Sequence, residues 1–174
     1  MNPLEGRRTA LVLIDLMSRI VALETAPSSG PDVLERSVAC AAATRVAGGL
    51  VVNVRVERPG VDVQPEGSGF APGAEPRPGD LEIVKRTIGA FGRTELDAEL
   101  QARGIANVVL AGIATNFGVE STGRAASDLG YETFFLTDAM TGLDADAHTF
   151  ATTYVFPRLG TTCTTAEYLE FLTE

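Results

Sequence analysis

A chain of 174 residues, 45% hydrophobic and 21% charged, is long enough to bury roughly two thirds of its unfolded surface in one core. Its net charge of −9 repels nucleic acid and anionic membrane surfaces, and no basic run offsets it. No stretch approaches the ~20 apolar residues of a membrane span, so the expectation is one domain over 1–174 that binds neither nucleic acid nor membrane.

Arg7-Arg8 precede Ala10-Leu11-Val12-Leu13-Ile14, an apolar run that Asp15 interrupts. The run is too short for the core of an export signal and no small-residue cleavage site follows, so a cytoplasmic, unprocessed chain is expected. It predicts instead a strand buried on both faces, with Asp15 at its carboxyl end. Gly30-Pro31 open a helix in which Leu34, Val38, Ala41 and Ala42 share a face, and Gly48-Gly49 end it. Val51 to Val56 form a second strand. Residues 58–80 hold five of the nine prolines and five glycines and read as one long excursion, a lid, a binding loop or a partner contact.

Leu81 to Val84 are a third strand, ending at Lys85. Thr94-Glu95-Leu96-Asp97 have the form of a capping box, and the helix they start carries Leu96 and Leu100 as far as Gly104. Val108 to Ala111 are a fourth, buried strand. Gly112 to Gly118 then turn into a helix whose Val119, Thr122, Gly123, Ala126 and Leu129 recur at helical spacing. Thr133 to Thr137 form a fifth strand closed by Asp138, expected as a structural hydrogen-bond acceptor. Leu143, Ala147, Phe150, Ala151 and Tyr154 give a helix an apolar face, ended near Pro157. His148 falls off that face and is expected in solvent. A strand near 161–164 and a helix from about Ala166 complete the chain. Glu120 and Arg124, one turn apart, predict a surface pair, and Cys40 and Cys163 predict two free, buried thiols.

Strands and helices alternate throughout, which predicts a three-layer α/β/α sandwich on a doubly wound parallel sheet of about six strands. Asp15, Lys85 and the 112–118 turn all follow strands and so converge on one edge, where such sheets bind ligands. Two readings of Asp15 and Lys85 stay open from pattern alone: a structural ion pair, or a catalytic one.

Gly112-Ile113-Ala114-Thr115-Asn116-Phe117-Gly118-Val119-Glu120-Ser121-Thr122 resembles the nucleophile turn of the isochorismatase-like hydrolases, in which the residue at 118 is normally a catalytic cysteine. The resemblance extends to the strand ending in Asp15, to Val84-Lys85-Arg86-Thr87-Ile88-Gly89-Ala90-Phe91, to Asp138-Ala139-Met140 and to Phe156-Pro157-Arg158-Leu159-Gly160. It implies the strand order 3-2-1-4-5-6. It also implies a Cys/Asp/Lys triad reduced here to Asp15 and Lys85, because Gly118 leaves the nucleophile position without a thiol. A cis peptide at Ile113-Ala114, an oxyanion hole from the N–H groups of Ala114 and Gly118, and a homodimer or homotetramer follow from the same resemblance. Met17 stands where family members often have glutamine. The Asp/His/His metal site of one branch cannot be built with His148 alone, so neither metal nor cofactor is expected.

Isochorismatases proper carry glycine at that position. Their aspartate protonates the alkene of an enol ether so that water attacks the cation. The expected function is thus cysteine-independent hydrolysis of a small anionic metabolite, with Asp15 as general acid and with Phe91, Asn116 and Phe117 lining the pocket. The substrate carboxylate is expected on Lys85, with Arg86 and Arg93 expected on the exposed surface unless they help to admit the anion. The alternative is an inactive family member that binds a ligand or contacts a subunit.

Overall fold

The computed structural model describes residues 3–173. Six strands, β1 (Thr9–Ile14), β2 (Leu50–Val56), β3 (Leu81–Lys85), β4 (Asn107–Ile113), β5 (Glu132–Thr141) and β6 (Thr161–Cys163), form one sheet in the order 3-2-1-4-5-6. Every neighbouring pair is parallel. Central β1 is buried at all six positions, as a parallel strand covered on both faces must be. Its side chains alternate between two cores. Leu11 and Leu13 join Val33, Cys40 and Tyr168 on one face, where α1 (Gly30–Val46) and α5 (Thr165–Phe171) lie. Ala10, Val12 and Ile14 join Leu96, Val119, Ala126 and Phe156 on the other, under α2 (Leu96–Ala102), α3 (Glu120–Asp128) and α4 (145–159).

Three local expectations change. The box at the start of α2 does not form: Glu95 is the N-cap and offers no side-chain bond. The Thr94 hydroxyl instead donates to the Ala90 carbonyl, and the Asp97 carboxylate is held by Tyr131 Oη at 2.7 Å and by Gln101. β5 also runs past Asp138 to Thr141, because a register shift between Leu110 and Gly112 lets Met140 and Thr141 pair again with β4. Asp138 accepts from Thr165 N at 2.7 Å and Thr165 Oγ1 at 2.8 Å, holding the start of α5.

The third change is the face of α4. Its middle, Ala151–Val155, is a π-turn, and the buried set is His148, Ala151, Val155 and Phe156. Phe150 and Tyr154 lie outside instead, stacked on each other, with Arg158 over the Tyr154 ring.

The 58–80 excursion has no helix or strand beyond one bridge, Phe70 to Met17. It is strapped to the sheet rather than free, since Ala71 and Ala74 are buried and Asn53 Nδ2 donates to the Ala74 carbonyl at 2.9 Å. Leu4–Glu5 and Leu172–Thr173 pair as a separate two-stranded clasp. Among the described residues no helix is long and apolar enough to cross a membrane.

Candidate active site

The site lies at the carboxyl ends of β1, β3 and β4. Asp15 leaves β1 with φ +53°, a left-handed conformation that Asp tolerates better than most side chains. Its N–H donates to Val54 O at 2.9 Å and its carbonyl accepts from Met17 N at 2.7 Å, so the backbone that aims the carboxylate is fixed on both sides. Lys85 is the last residue of β3 and is held by its pairing with Val56. Its Nζ lies 2.7 Å from Asp15 Oδ2 and donates to Ile88 O at 2.9 Å and Thr87 O at 3.4 Å. An ammonium has three hydrogens, and here all three face protein oxygens.

β4 delivers the central turn. Gly112 has φ +119°, and a Cβ there would stand 2.2 Å from Ile14 O, so this approach of β4 to β1 requires glycine. The Ile113–Ala114 peptide is cis. The chain then makes one π-turn, Thr115–Val119, before α3. Two hydroxyls pin it. Thr122 Oγ1 donates to Gly118 O at 2.6 Å and accepts from Ala90 N at 3.0 Å, while Thr115 Oγ1 lies 2.9 Å from His148 Nδ1.

These elements line an open cavity of about 490 Å³ with Asp15 and Lys85 at its buried end. Ile20, Ile113, Ala114, Phe117 and Leu143 supply apolar wall, and Arg19, Arg58, Arg86 and Glu57 are polar neighbours. Gly118 faces Asp15: a Cβ on it would stand 3.4 Å from Asp15 Oδ2 and 2.8 Å from Ile14 Cγ2. Asp15 Oδ1 is buried without a hydrogen-bond partner, and Met17, itself buried, brings no donor. Burial pushes the Asp15 carboxyl above the ordinary range, and the opposing pull of Lys85 and, more weakly, Arg19 does not cancel it.

Asp15, Lys85, Ile113, Ala114, Phe117 and Gly118 thus meet in one cavity. Phe91 and Asn116 do not line it. Phe91 stacks on Tyr131 with centroids 6.0 Å apart, drawn into the α2–α3 side by that aromatic surface. Asn116 precedes Phe117 by roughly a quarter turn of helix, and its Oδ1 instead lies 3.3 Å from where a Cβ on Gly142 would stand. Arg93 is outside the lining, and Arg86, which is inside it, is paired with Glu57 at 2.6 Å. His148 is buried, not solvated, because the face of α4 that meets the body of the molecule carries 148, 151, 155 and 156, which sets the imidazole against Thr115. Its imidazole pKa is lowered by that burial.

Sequence reasoning passed over Arg19, Arg58 and Leu143. Arg19 stands in the short helical turn Ser18–Val21, and the left-handed Asp15 and extended Met17 before it gave no periodicity to link it to Asp15. Arg58 had no signal either, standing at the start of a segment without periodicity. Among the described residues no three metal-binding side chains gather.

An Isochorismatase domain model matches residues 9–167. The uncharacterized isochorismatase family protein YwoC of Bacillus subtilis (strain 168) is 38% identical over 96% of this chain and 95% of its own length. Ureidoacrylate amidohydrolase RutB of Agrobacterium fabrum is 44% identical over 46% of this chain but only 35% of its own length. Among solved structures, an isochorismatase family protein from Burkholderia thailandensis superposes with a TM-score of 0.88 at 38% identity, covering 98% of each chain.

Proposed function

The chain belongs to the isochorismatase family, and from that premise we propose that it is a hydrolase of a small anionic metabolite that works without a cysteine nucleophile. Asp15 is the general acid. It protonates the alkene carbon of an enol ether, converting it to an oxocarbenium ion. Water adds to the cationic carbon and returns a proton to the Asp15 carboxylate, and the hemiketal collapses to a carbonyl compound and an alcohol. Lys85 orients the carboxyl through Oδ2, and the N–H groups of Ala114 and Gly118 face the substrate oxygens. The working unit is a homodimer or homotetramer, and no cofactor takes part.

The observation that carries this reading is Asp15 itself, buried at the cavity end against the bare backbone of Gly118, with one oxygen on Lys85 and the other unpartnered. Burial keeps its proton on to higher pH than an exposed aspartate, as an acid working near neutrality needs. The test is a panel of small enol-ether carboxylates and small amides, with the released carbonyl compound and ammonia both measured. Carbonyl release is expected, and Asp15→Asn is expected to reduce it by about 10²–10⁴. Activity should fall as pH rises through the raised Asp15 pKa, since only the protonated acid donates. Ammonia release in place of carbonyl release would overturn the mechanism, and binding without turnover across the panel would favour a ligand-binding protein.

A further inference from the structure

The cavity is cationic in an acidic protein: four basic side chains, Arg19, Arg58, Lys85 and Arg86, line it against two carboxylates, Asp15 and Glu57, although the whole chain carries −9. Two of the four are committed. Lys85 has its three hydrogens on Asp15, Ile88 and Thr87, and Arg86 is paired with Glu57. Arg19 and Arg58 remain, and among the described residues neither stands in an ion pair.

Both are held in place by the 58–80 excursion. Arg19 N donates to Gly67 O at 3.0 Å and Arg19 Nε donates to Ser68 Oγ at 3.2 Å, leaving the terminal guanidinium nitrogens without a partner among the described residues. At Arg58 the clamp is Gln64, whose Oε1 accepts from Arg58 N at 2.8 Å and whose Nε2 donates to Arg58 O at 3.1 Å. The excursion thus fixes the backbones of two arginines at one cavity and leaves their charged ends uncommitted.

We infer that Arg19 and Arg58 read the carboxylate of the substrate, whose apolar body lies between Ile20, Phe117 and Leu143 above Asp15, and that the 58–80 excursion exists to build this carboxylate subsite. The inference rests on the cavity being the substrate site, as proposed above. A planar guanidinium matches a carboxylate bidentately, and the apolar walls suit a hydrocarbon body better than a bare, fully hydrated anion. The Arg19 charge also reaches Asp15 and favours its ionised form. A carboxylate seated on Arg19 cancels that pull, so the binding group itself helps to keep the acid protonated.

Benzoate is the probe, with benzamide as its neutral isostere and inorganic phosphate as an anion without an apolar body, each titrated into the full chain by NMR and calorimetry. Benzoate is expected to bind at least tenfold more tightly than benzamide and phosphate. Arg19→Gln and Arg58→Gln should each weaken benzoate about tenfold, with Arg19→Lys intermediate. Gln64→Ala should weaken it a few-fold through the position of Arg58, and Arg93→Gln should change nothing. Equal binding of benzoate and benzamide, or unchanged benzoate affinity in both arginine variants with native thermal melts, overturns the inference. So does arginine-dependent phosphate binding without benzoate binding. Turnover separates the two readings: arginine-dependent benzoate binding without enol-ether turnover by the native chain sinks the acid mechanism alone, whereas enol-ether turnover that is lost in Asp15→Asn but indifferent to Arg19 and Arg58 sinks the carboxylate subsite alone.

Discussion

Gly118→Cys asks whether the surroundings of the turn still suit a thiol. The new Cβ would stand 3.4 Å from Asp15 Oδ2 and 2.8 Å from Ile14 Cγ2, so Ile14 must yield slightly while the sulfur gains a titratable neighbour at the start of a helix. The introduced thiol is expected to react with iodoacetamide much faster than the native ones, because burial pushes Cys40 up to about 12 and Cys163 up to about 11. Adding Lys85→Ala should slow it. Alkylation no faster than at Cys40 would mean that Asp15 and Lys85 cannot serve a nucleophile there. His148 gives a second expectation. Its folded pKa lies below the unfolded value of ~6.5, so the unfolded chain binds more protons between the two. Stability from this group is complete above about pH 6.5 and is lost as pH falls through the lowered value. Asp15 runs the other way, since its raised pKa makes stability fall as pH rises through it. Melting temperatures measured from pH 7.5 downwards should decline, and His148→Gln should flatten that decline. An identical pH profile in the variant would show that the Thr115–His148 bond is not pH-linked.

Elements dock through a few close contacts. A Cβ on Gly123 of α3 would stand 2.5 Å from Phe135 Cε1, on the ring that stacks on Phe156 at 4.0 Å. Gly123→Val is expected to cost about 1–3 kcal/mol by overpacking, seen as a lower urea midpoint at unchanged slope. At α5, Thr164 and Glu167 form a full capping box, and Thr164→Ala should cost about 1 kcal/mol. Those contacts also mark where sequence was readable. The run Ala10 to Ile14 is apolar at every position and could only be a doubly covered strand, and Asp15, Lys85 and Gly118 each sat at an element end that the alternation located. The face of α4 was harder to read: the sets 147, 150, 151, 154 and 148, 151, 155, 156 both fit a 3.6-residue repeat, and the large apolar Phe150 and Tyr154 pointed to the first while the second is the one buried. Thr94-Glu95-Leu96-Asp97 misled differently: the box needs its acid free, and Tyr131, far along the chain, takes it.

The assembled molecule exposes Phe117, Leu143, Phe150 and Tyr154, apolar surface that self-association would cover. Sedimentation at micromolar concentration is expected to give a mass above that of one chain, lowered by Phe150→Glu, and a monomer at that concentration would remove the proposed oligomer. The strand order has a further consequence, for biosynthesis. β1 sits between β2 and β4, so the most buried strand of the sheet is also the first to be translated and gains its second neighbour only when Asn107–Ile113 have emerged. At ~5–20 residues per second, the stretch of roughly 57 residues between the end of β2 and the end of β4 leaves it half-paired for about 3–11 s. A ribosome-bound chain therefore carries an apolar strand with an open edge through most of its synthesis, the form most prone to pair with a neighbouring chain. Stalled nascent chains ending before Asn107 should be protease-sensitive and chaperone-bound, with protection rising once β4 is free of the ribosome.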